Sequence, residues 1–218
     1  MANYRFVTET RMCARYQLPI DWQNFPMLKP GDFEPNLDVR PTHRMPIGRL
    51  IDGNLETEWR HWGFLRSWPG KSGKMTRHQL INAVGEELQA KKSFRNAYET
   101  SRCIIPMAAW YEWPTLDGVK TRVEIGLKRR SIFAVAGLFE TSEDPATGEP
   151  VDTYTMVTVP PNEILGQVHD RSPLVLRLED HDAWLEGGAS AQALIGAYPE
   201  CDAFYLHPVD VPPQHTLF

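Results

Sequence analysis

Long apolar runs are missing from this sequence of 218 residues, and so is the apolar centre of a signal peptide. No stretch approaches the roughly 18 uninterrupted apolar residues that a membrane-spanning helix requires. The first twelve residues, MANYRFVTETRM, interleave polar and charged side chains with apolar ones, which is not typical of a secretory signal. We therefore expect a cytoplasmic protein with no membrane partner.

Cysteine is also scarce. The three cysteines, Cys13, Cys103 and Cys201, form neither a CxxC pair nor a zinc-type spacing. This argues against a disulfide framework and against a structural zinc site, and we expect neither a metal nor another cofactor. Any reactive thiol has to act alone. Cys103 lies in an apolar run and is predicted to lie in the core, and the same is predicted for Cys201.

Net charge is low, at −5, but it is unevenly distributed along the chain. Residues 40–102 carry 12 Lys and Arg against 6 Asp and Glu, whereas residues 140–218 carry 2 against 14. Such an asymmetry is what a basic face for a phosphate backbone would produce on an otherwise acidic protein. A solvated surface on which charges happen to cluster would produce it too.

The composition and the patterning predict one α+β domain with a large antiparallel component. Hydrophobic residues make up 42% and charged residues 23%, as in ordinary globular proteins, while 18 Pro and 15 Gly favour turns and sheet edges over a helical bundle. Runs rich in β-branched and aromatic residues predict strands. They are Met45 to Ile51, Leu55 to Trp62, Arg102 to Met107, Thr121 to Leu127, Ser131 to Glu140, Thr153 to Val159 and Leu174 to Leu178, with a last one at Ala203 to His207.

Helices and turns are predicted from periodicity and from capping residues. A helix is predicted from Thr76 to about Lys91, because Thr76 and Gln79 form a capping box and apolar residues recur on one face after it. Two short helices are predicted near Glu179 to Glu186 and Ser190 to Tyr198. Asp117-Gly118 predicts a hairpin turn.

Four segments carry side chains suited to nucleophilic or acid–base chemistry. Cys13 lies two residues before a cation, a polar loop is predicted over Arg95 to Thr100, Glu112 stands among three aromatic residues, and His169 is followed by an acid and an arginine. Desolvation by the aromatics should raise the pKa of Glu112 toward the range useful for proton transfer. Taken singly, each segment has a structural explanation as well: a buried thiol, an edge-strand charge or polar turn residues.

Taken together and in order, these segments resemble the SOS response-associated peptidase (SRAP) family. The similarity covers nearly the whole chain. It rests on MCARY at 12–16, RPT at 40–42, WRHWGFLRSWP at 59–69, FRNAYET at 94–100, RCIIPMAAWYEW at 102–113, FAVAGLFE at 133–140 and TYTMVTVPPNEILGQVHDRSP at 153–173, followed by VLRL at 175–178. The combination is specific, although each piece alone is weak.

The resemblance implies a single domain with a mainly antiparallel, barrel-like β core and flanking helices. It implies a protein of the DNA damage or SOS response that recognises abasic sites in single-stranded DNA, and we expect a monomer. SRAP proteins crosslink to such sites through an N-terminal cysteine, whose amine attacks the sugar aldehyde and whose thiol closes a thiazolidine. Peptidase activity on the leader and DNA lyase activity belong to the same implied chemistry.

The resemblance also assigns roles to residues. Cys13 is the nucleophile, Asn96 orients the amine or the substrate, Glu112 transfers protons during imine formation and His169 assists opening of the sugar ring. The residues implied to contact phosphates or stacked bases are Arg15, Arg66, Trp68, Tyr98, Trp113 and Arg171.

Cys13 departs from the family pattern, because twelve residues precede it and an internal cysteine has an amide nitrogen rather than an amine. We expect residues 1–12 to be a leader or an incorrectly assigned start, and residues 13–218 to form the domain. Translation from Met12, self-cleavage of the leader or loss of the chemistry would each explain the departure. Two other functions stay open: a cysteine peptidase or amide hydrolase using Cys13, Glu112 and His169, and a catalytically silent module that binds single-stranded DNA.

Overall fold

The computed structural model describes residues 13–18, 35–69 and 75–209. Within them, strands outnumber helices. In chain order the strands are β1 (Tyr16–Leu18), β2 (Asn36–Val39), β3 (Arg44–Ile51), β4 (Asn54–Trp62), β5 (Phe64–Pro69), β6 (Met75–Leu80), β7 (Asn82–Val84), β8 (Arg102–Met107), β9 (Ala109–Glu112), β10 (Thr115–Leu116), β11 (Val119–Lys120), β12 (Val123–Leu127), β13 (Phe133–Glu143), β14 (Pro150–Val159), β15 (Ser172–Pro173), β16 (Val175–Leu176) and β17 (Phe204–Pro208). The α-helices are α1 (Lys92–Thr100), α2 (His181–Glu186) and α3 (Gly188–Ala193).

Five strands close into a barrel, because β14 pairs with both β4 and β13 and so joins the two ends of the order β14-β4-β3-β8-β13. Four of the five pairings are antiparallel, and only that of β14 with β4 is parallel. The α+β fold with a mainly antiparallel, barrel-like core is therefore confirmed. Closure removes the free sheet edges that would otherwise invite aggregation.

A second sheet of five strands, in the order β17-β12-β9-β1-β2, carries the N-terminal residues that the structure describes. All of its pairings are antiparallel. Between the two sheets lie large buried aromatics: the Tyr16 and Trp62 rings meet edge to face at 5.2 Å, and the Tyr16 and Tyr154 hydroxyls share a hydrogen bond of 2.7 Å. This packing fixes β1, and with it Cys13, against the barrel.

The helix predicted from Thr76 to Lys91 is wrong. Residues 75–80 form β6, which pairs with β5 along its whole length, and a 3₁₀ turn at Gly85–Glu87 follows β7. The stacking of Trp68 on His78, with ring centroids 4.0 Å apart, is one cross-strand contact of this hairpin. Tertiary pairing has overridden the helical periodicity of the segment.

The predicted polar loop over Arg95 to Thr100 is also wrong, since it belongs to α1. Phe94, Ala97 and Tyr98 are buried at positions i, i+3 and i+4, which gives this helix a narrow apolar face against the barrel. The predicted short helices correspond to α2 and, with an earlier end, to α3.

Most strand and turn predictions are confirmed. Arg102–Met107 is a strand with the predicted bounds, and Asp117-Gly118 connects β10 to β11 with positive φ at both residues, as a type I′ turn requires. Cys103 is buried as predicted, whereas Cys201 is partly exposed and the prediction for it is wrong. Among the described residues, no helix is long and apolar enough to cross a membrane.

Candidate active site

Cys13 and Glu112, 99 residues apart in the sequence, meet in the interior of the protein. The backbone N–H of Cys13 donates a hydrogen bond of 2.9 Å to Glu112 Oε1. The register of β1 against β9 produces the contact, because Tyr16 pairs with Trp110 and the N–H of Tyr111 donates to the carbonyl of Arg15. Extending this antiparallel ladder places Cys13 one residue beyond the position opposite Glu112.

Glu112 is a carboxyl group held largely out of water, with 3% of its surface exposed. Burial raises its pKa from 4.5 to about 8, against the opposing effect of the N–H donated by Cys13. The negative charge of Asp170 contributes to the same rise. Glu112 is therefore mostly protonated at neutral pH and can give a proton to an atom at the position of the Cys13 nitrogen.

The Cys13 thiol is buried, and burial together with the charge of Glu112 raises its pKa well above the ordinary value. The backbone of Cys13 has a φ of 42°, in the left-handed region that side chains other than glycine rarely adopt. The site therefore holds a neutral thiol beside the Cys13 backbone nitrogen, whose N–H is hydrogen-bonded to the Glu112 carboxyl. This arrangement suits chemistry that begins at nitrogen better than attack by a free thiolate.

His169 lies in the turn before β15, next to Asp170, whose charge raises the pKa of Glu112. Its Nδ1 is 2.8 Å from Asp170 Oδ1, and the same nitrogen accepts the backbone N–H of Arg171 at 3.1 Å. Arg171 fixes the turn by donating to the carbonyl of Thr158 at 2.6 Å. The structure therefore connects the His169 turn with the Cys13–Glu112 pair through the charge of Asp170, a residue that sequence reasoning did not select although it adjoins His169.

Asn96 lies on the described surface. It occupies an exposed position of α1, and among the described residues no hydrogen bond joins its side chain to Cys13 or Glu112. Its proposed role in orienting the amine or the substrate stays a prediction.

Five of the six residues predicted to contact DNA fall into three groups. Arg15 lies over the ring of half-buried Trp113, with its guanidinium 5.6 Å from the ring centroid, near Cys13. Trp68 is exposed on the β5–β6 hairpin. Arg66 and Arg171 are both engaged by carboxylates, with Nη2 of Arg66 2.8 Å from Glu140 Oε2 and Arg171 paired with Glu86.

Tyr98, the sixth residue predicted to contact DNA, is buried in this structure. Only 4% of its surface is exposed, its ring packs near Trp184, and its hydroxyl donates to Gln192 Oε1 at 2.9 Å. No ring face is left for a nucleobase, because the side chain forms part of the contact between α1 and α2–α3.

A cavity of about 550 Å³ opens beside the Arg171 side chain. Arg77, His78, Asn82 and Thr158 contribute to its polar lining. In residues 13–18, 35–69 and 75–209 no group of three His, Cys, Asp or Glu is placed to hold a metal ion.

Comparison with known proteins places these features in a family. The family model described as SOS response associated peptidase (SRAP) matches residues 12–211. The chain is similar to the abasic site processing protein YoqW of Bacillus subtilis, with 34% identity over 183 residues and 80% of each chain covered. Its similarity to the abasic site processing protein YoaM of the same organism is 35% over 187 residues, covering 80% of this chain and 79% of YoaM.

The fold is also similar to solved structures. A crystal structure of a protein from Bacteroides thetaiotaomicron matches with a TM-score of 0.76 and 20% identity, over 91% of this chain and 92% of that one. The structural match covers nearly the whole length of both chains, which supports the barrel and the second sheet as parts of one shared fold.

Proposed function

The chain belongs to the SOS response associated peptidase family, and from this premise we propose that it recognises abasic sites in DNA and crosslinks to them through Cys13. Similarity to two abasic site processing proteins supports the substrate class. The hydrogen bond from the Cys13 nitrogen to Glu112 is the observation that carries the covalent step.

The proposed reaction starts when Cys13 has a free α-amine. The amine attacks C1′ of the ring-opened sugar, the aldehyde oxygen takes up a proton, and a carbinolamine forms. Glu112 donates a proton to the carbinolamine hydroxyl, which leaves as water, and the proton on the nitrogen returns to the Glu112 carboxylate to give a neutral imine. Sγ then adds to the imine carbon while the thiol proton passes to nitrogen, closing the thiazolidine.

The neutral state of the thiol fits this order of events. Imine formation uses the nitrogen first, and the thiol is needed only once an electrophilic carbon is one ring closure away. Glu112, with a pKa raised to about 8, holds the proton that this step consumes near neutral pH. His169 is assigned the earlier step, in which the ring oxygen of the closed sugar leaves and the aldehyde is exposed.

We propose that the active domain comprises residues 13–218, with residues 1–12 absent from it. Translation from Met12 followed by removal of that methionine produces the amine directly, and the family match begins at the same residue. The second route is self-cleavage. In it Sγ of Cys13 attacks the Met12 carbonyl carbon, the nitrogen leaves with a proton transferred through Glu112, and water then hydrolyses the thioester.

An ordinary cysteine hydrolase is the competing function. It requires a thiolate, and both burial and the charge of Glu112 oppose ionisation of the Cys13 thiol. A silent single-stranded DNA-binding module remains the other alternative, and the covalent adduct separates it from the proposed enzyme.

The test compares protein translated from Met12 with the 218-residue chain. After incubation with a single-stranded oligonucleotide bearing one abasic site, intact mass should show a heat-stable 1:1 adduct for the shorter protein and none for its Cys13→Ala variant. Cys201→Ala, which removes a partly exposed thiol elsewhere, should crosslink normally. An equally stable adduct with Cys13→Ala would refute the thiazolidine, and a mass loss of residues 1–12 from the long chain would favour self-cleavage.

A further inference from the structure

Trp68 is the most exposed tryptophan that the structure describes, and 39% of its surface is accessible to solvent. It is the next-to-last residue of β5, on a two-stranded hairpin formed with β6. One face of its indole ring is covered by the imidazole of His78, with the ring centroids 4.0 Å apart and the planes 15° from parallel. The accessible area of Trp68 therefore belongs mainly to the opposite face and to the ring edges.

The register of the hairpin produces this stack. Arg66 lies opposite His78, and Trp68 lies opposite Thr76, so the two rings are diagonal neighbours on one face of the hairpin. Diagonal pairs across an antiparallel ladder are within reach of aromatic side chains. Strand pairing therefore places His78, and the stack in turn restricts rotation of the indole.

Both strands of the hairpin are tied to the end of β13. Arg66 of β5 donates to Glu140 Oε2 at 2.8 Å. Nη2 of Arg77, in β6, lies 3.2 Å from Oδ2 of Asp144, the residue that directly follows β13. The hairpin therefore presents an aromatic face beside two arginines that already have carboxylate partners.

His78 contributes a ring to this stack rather than a polar contact through Nε2. Its side chain is half-buried, its Nε2 is buried, and no hydrogen bond from the described part of the chain reaches that atom. A buried nitrogen without a partner does not stabilise the fold. The contact that His78 does make is the one with the indole of Trp68.

The exposed indole face is suited to a nucleobase. Every base has a π face, and aromatic side chains bind single-stranded nucleic acid by stacking on successive bases. A side chain whose rotation is already restricted loses less entropy when a ligand stacks on it. His78 also lines the cavity of about 550 Å³ beside Arg171, so a strand that reaches this cavity passes close to Trp68.

We propose that His78 is a positioning residue: by stacking on one face of Trp68, it holds the other face in place for a base of single-stranded DNA. This inference rests on the proposed function, since it takes DNA as the ligand. It gives a role in binding to a histidine that the sequence did not indicate, and that role acts through the indole rather than through a contact of His78 with DNA.

The experiment measures binding of a fluorescent single-stranded oligonucleotide without an abasic site to the 218-residue protein by anisotropy, over a series of salt concentrations. Trp68→Ala should weaken binding by about 10-fold, because it removes a stacking ring. His78→Ala should weaken binding by about 2- to 10-fold, the cost of ordering one freed side chain on binding. Neither variant should change the slope of log K against log salt, since no phosphate contact is lost.

His78→Phe is the rescue variant. It keeps an aromatic ring beside the indole and loses no described bond at Nε2, so its affinity should lie within about 2-fold of wild type. In a Trp68→Ala background, His78→Ala should have no further effect, because the indole that His78 orients is absent. His207→Ala, which removes an exposed histidine of β17, is the matched control and should bind like wild type.

A loss with His78→Phe as large as that with His78→Ala would overturn the inference, since the ring would then not be what matters. An effect of His78→Ala that persists undiminished in the Trp68→Ala background would overturn it too. Unchanged binding by Trp68→Ala, or no binding by the wild-type protein at low salt, would do the same. Failure of the proposed function is distinct, since it appears as a missing adduct with abasic DNA whatever the affinity for intact DNA.

Discussion

Replacing Glu112 with Gln should remove a pH-dependent cost to the stability of the fold. Gln keeps a carbonyl oxygen that can accept the Cys13 N–H, and it occupies almost the same volume. It lacks the proton equilibrium that burial shifts in Glu112. The substitution therefore separates the cost of ionising a buried carboxyl from the packing of the site.

The magnitude follows from the two pKa values of Glu112, near 4.5 when exposed and about 8 in the folded protein. Below about pH 4.5 the carboxyl is protonated in both states and affects neither. Between the two values the folded state binds more protons than the unfolded state, so stability falls as pH rises. Above pH 8 the accumulated loss is about 5 kcal/mol, at about 1.4 kcal/mol for each unit of pKa difference.

The assay is denaturant unfolding of the 218-residue protein from pH 5 to pH 9. Wild type and Glu112→Gln should have similar unfolding free energies near pH 5, and the variant should be the more stable by several kcal/mol at pH 9. Glu163→Gln, which replaces an exposed carboxylate, should follow the wild-type curve. Parallel curves for wild type and Glu112→Gln would refute the assignment of a buried, mostly protonated Glu112.

Two further predictions use the same unfolding measurements. Asp170→Asn removes a negative charge that raises the pKa of Glu112, so the variant should lose less stability than wild type between pH 5 and pH 9; a curve unchanged from wild type would show that Asp170 does not act on Glu112. Tyr98→Phe, which loses the hydrogen bond to Gln192, should cost about 0.5 to 1.5 kcal/mol, and Tyr98→Ala about 3 to 5 kcal/mol. Affinity of Tyr98→Phe for single-stranded DNA should equal that of wild type, and a clear fall would restore a role for Tyr98 in binding.

The strands of the barrel could be predicted from the sequence because their apolar composition matches their buried environment. Arg102 to Met107 contains an apolar run of Cys, Ile, Ile, Pro and Met that is buried as a whole, so its length and residue types suffice to predict a strand. The segment from Thr76 to Lys91 has capping residues and a helical spacing, yet its first part pairs with Phe64–Pro69. A partner strand supplied by another segment cannot be seen in a local window.

In the candidate site, too, local features could be predicted from the sequence and long-range contacts could not. A carboxyl among aromatic residues predicts the raised pKa that burial produces in Glu112. The contact of that carboxyl with the Cys13 nitrogen depends on the pairing of β1 with β9, which joins segments far apart in the chain. The exposure of Asn96 and the burial of Tyr98 depend on the orientation of α1, a helix that local patterning did not predict.

Charge counted along the sequence is a poor guide to charge available for DNA. Residues 40–102 carry a surplus of six positive charges, yet Arg66 is neutralised by Glu140, from the acidic part of the chain. The attraction for phosphate therefore depends on which arginine–carboxylate ion pair is most easily broken. Asp38 pairs with Arg15 at 3.1 Å and has 44% of its side chain exposed, against 23% for Glu140, so replacing its ion pair by one with a phosphate costs less. The binding surface should consequently centre on the Arg15 side of the protein rather than on Arg66.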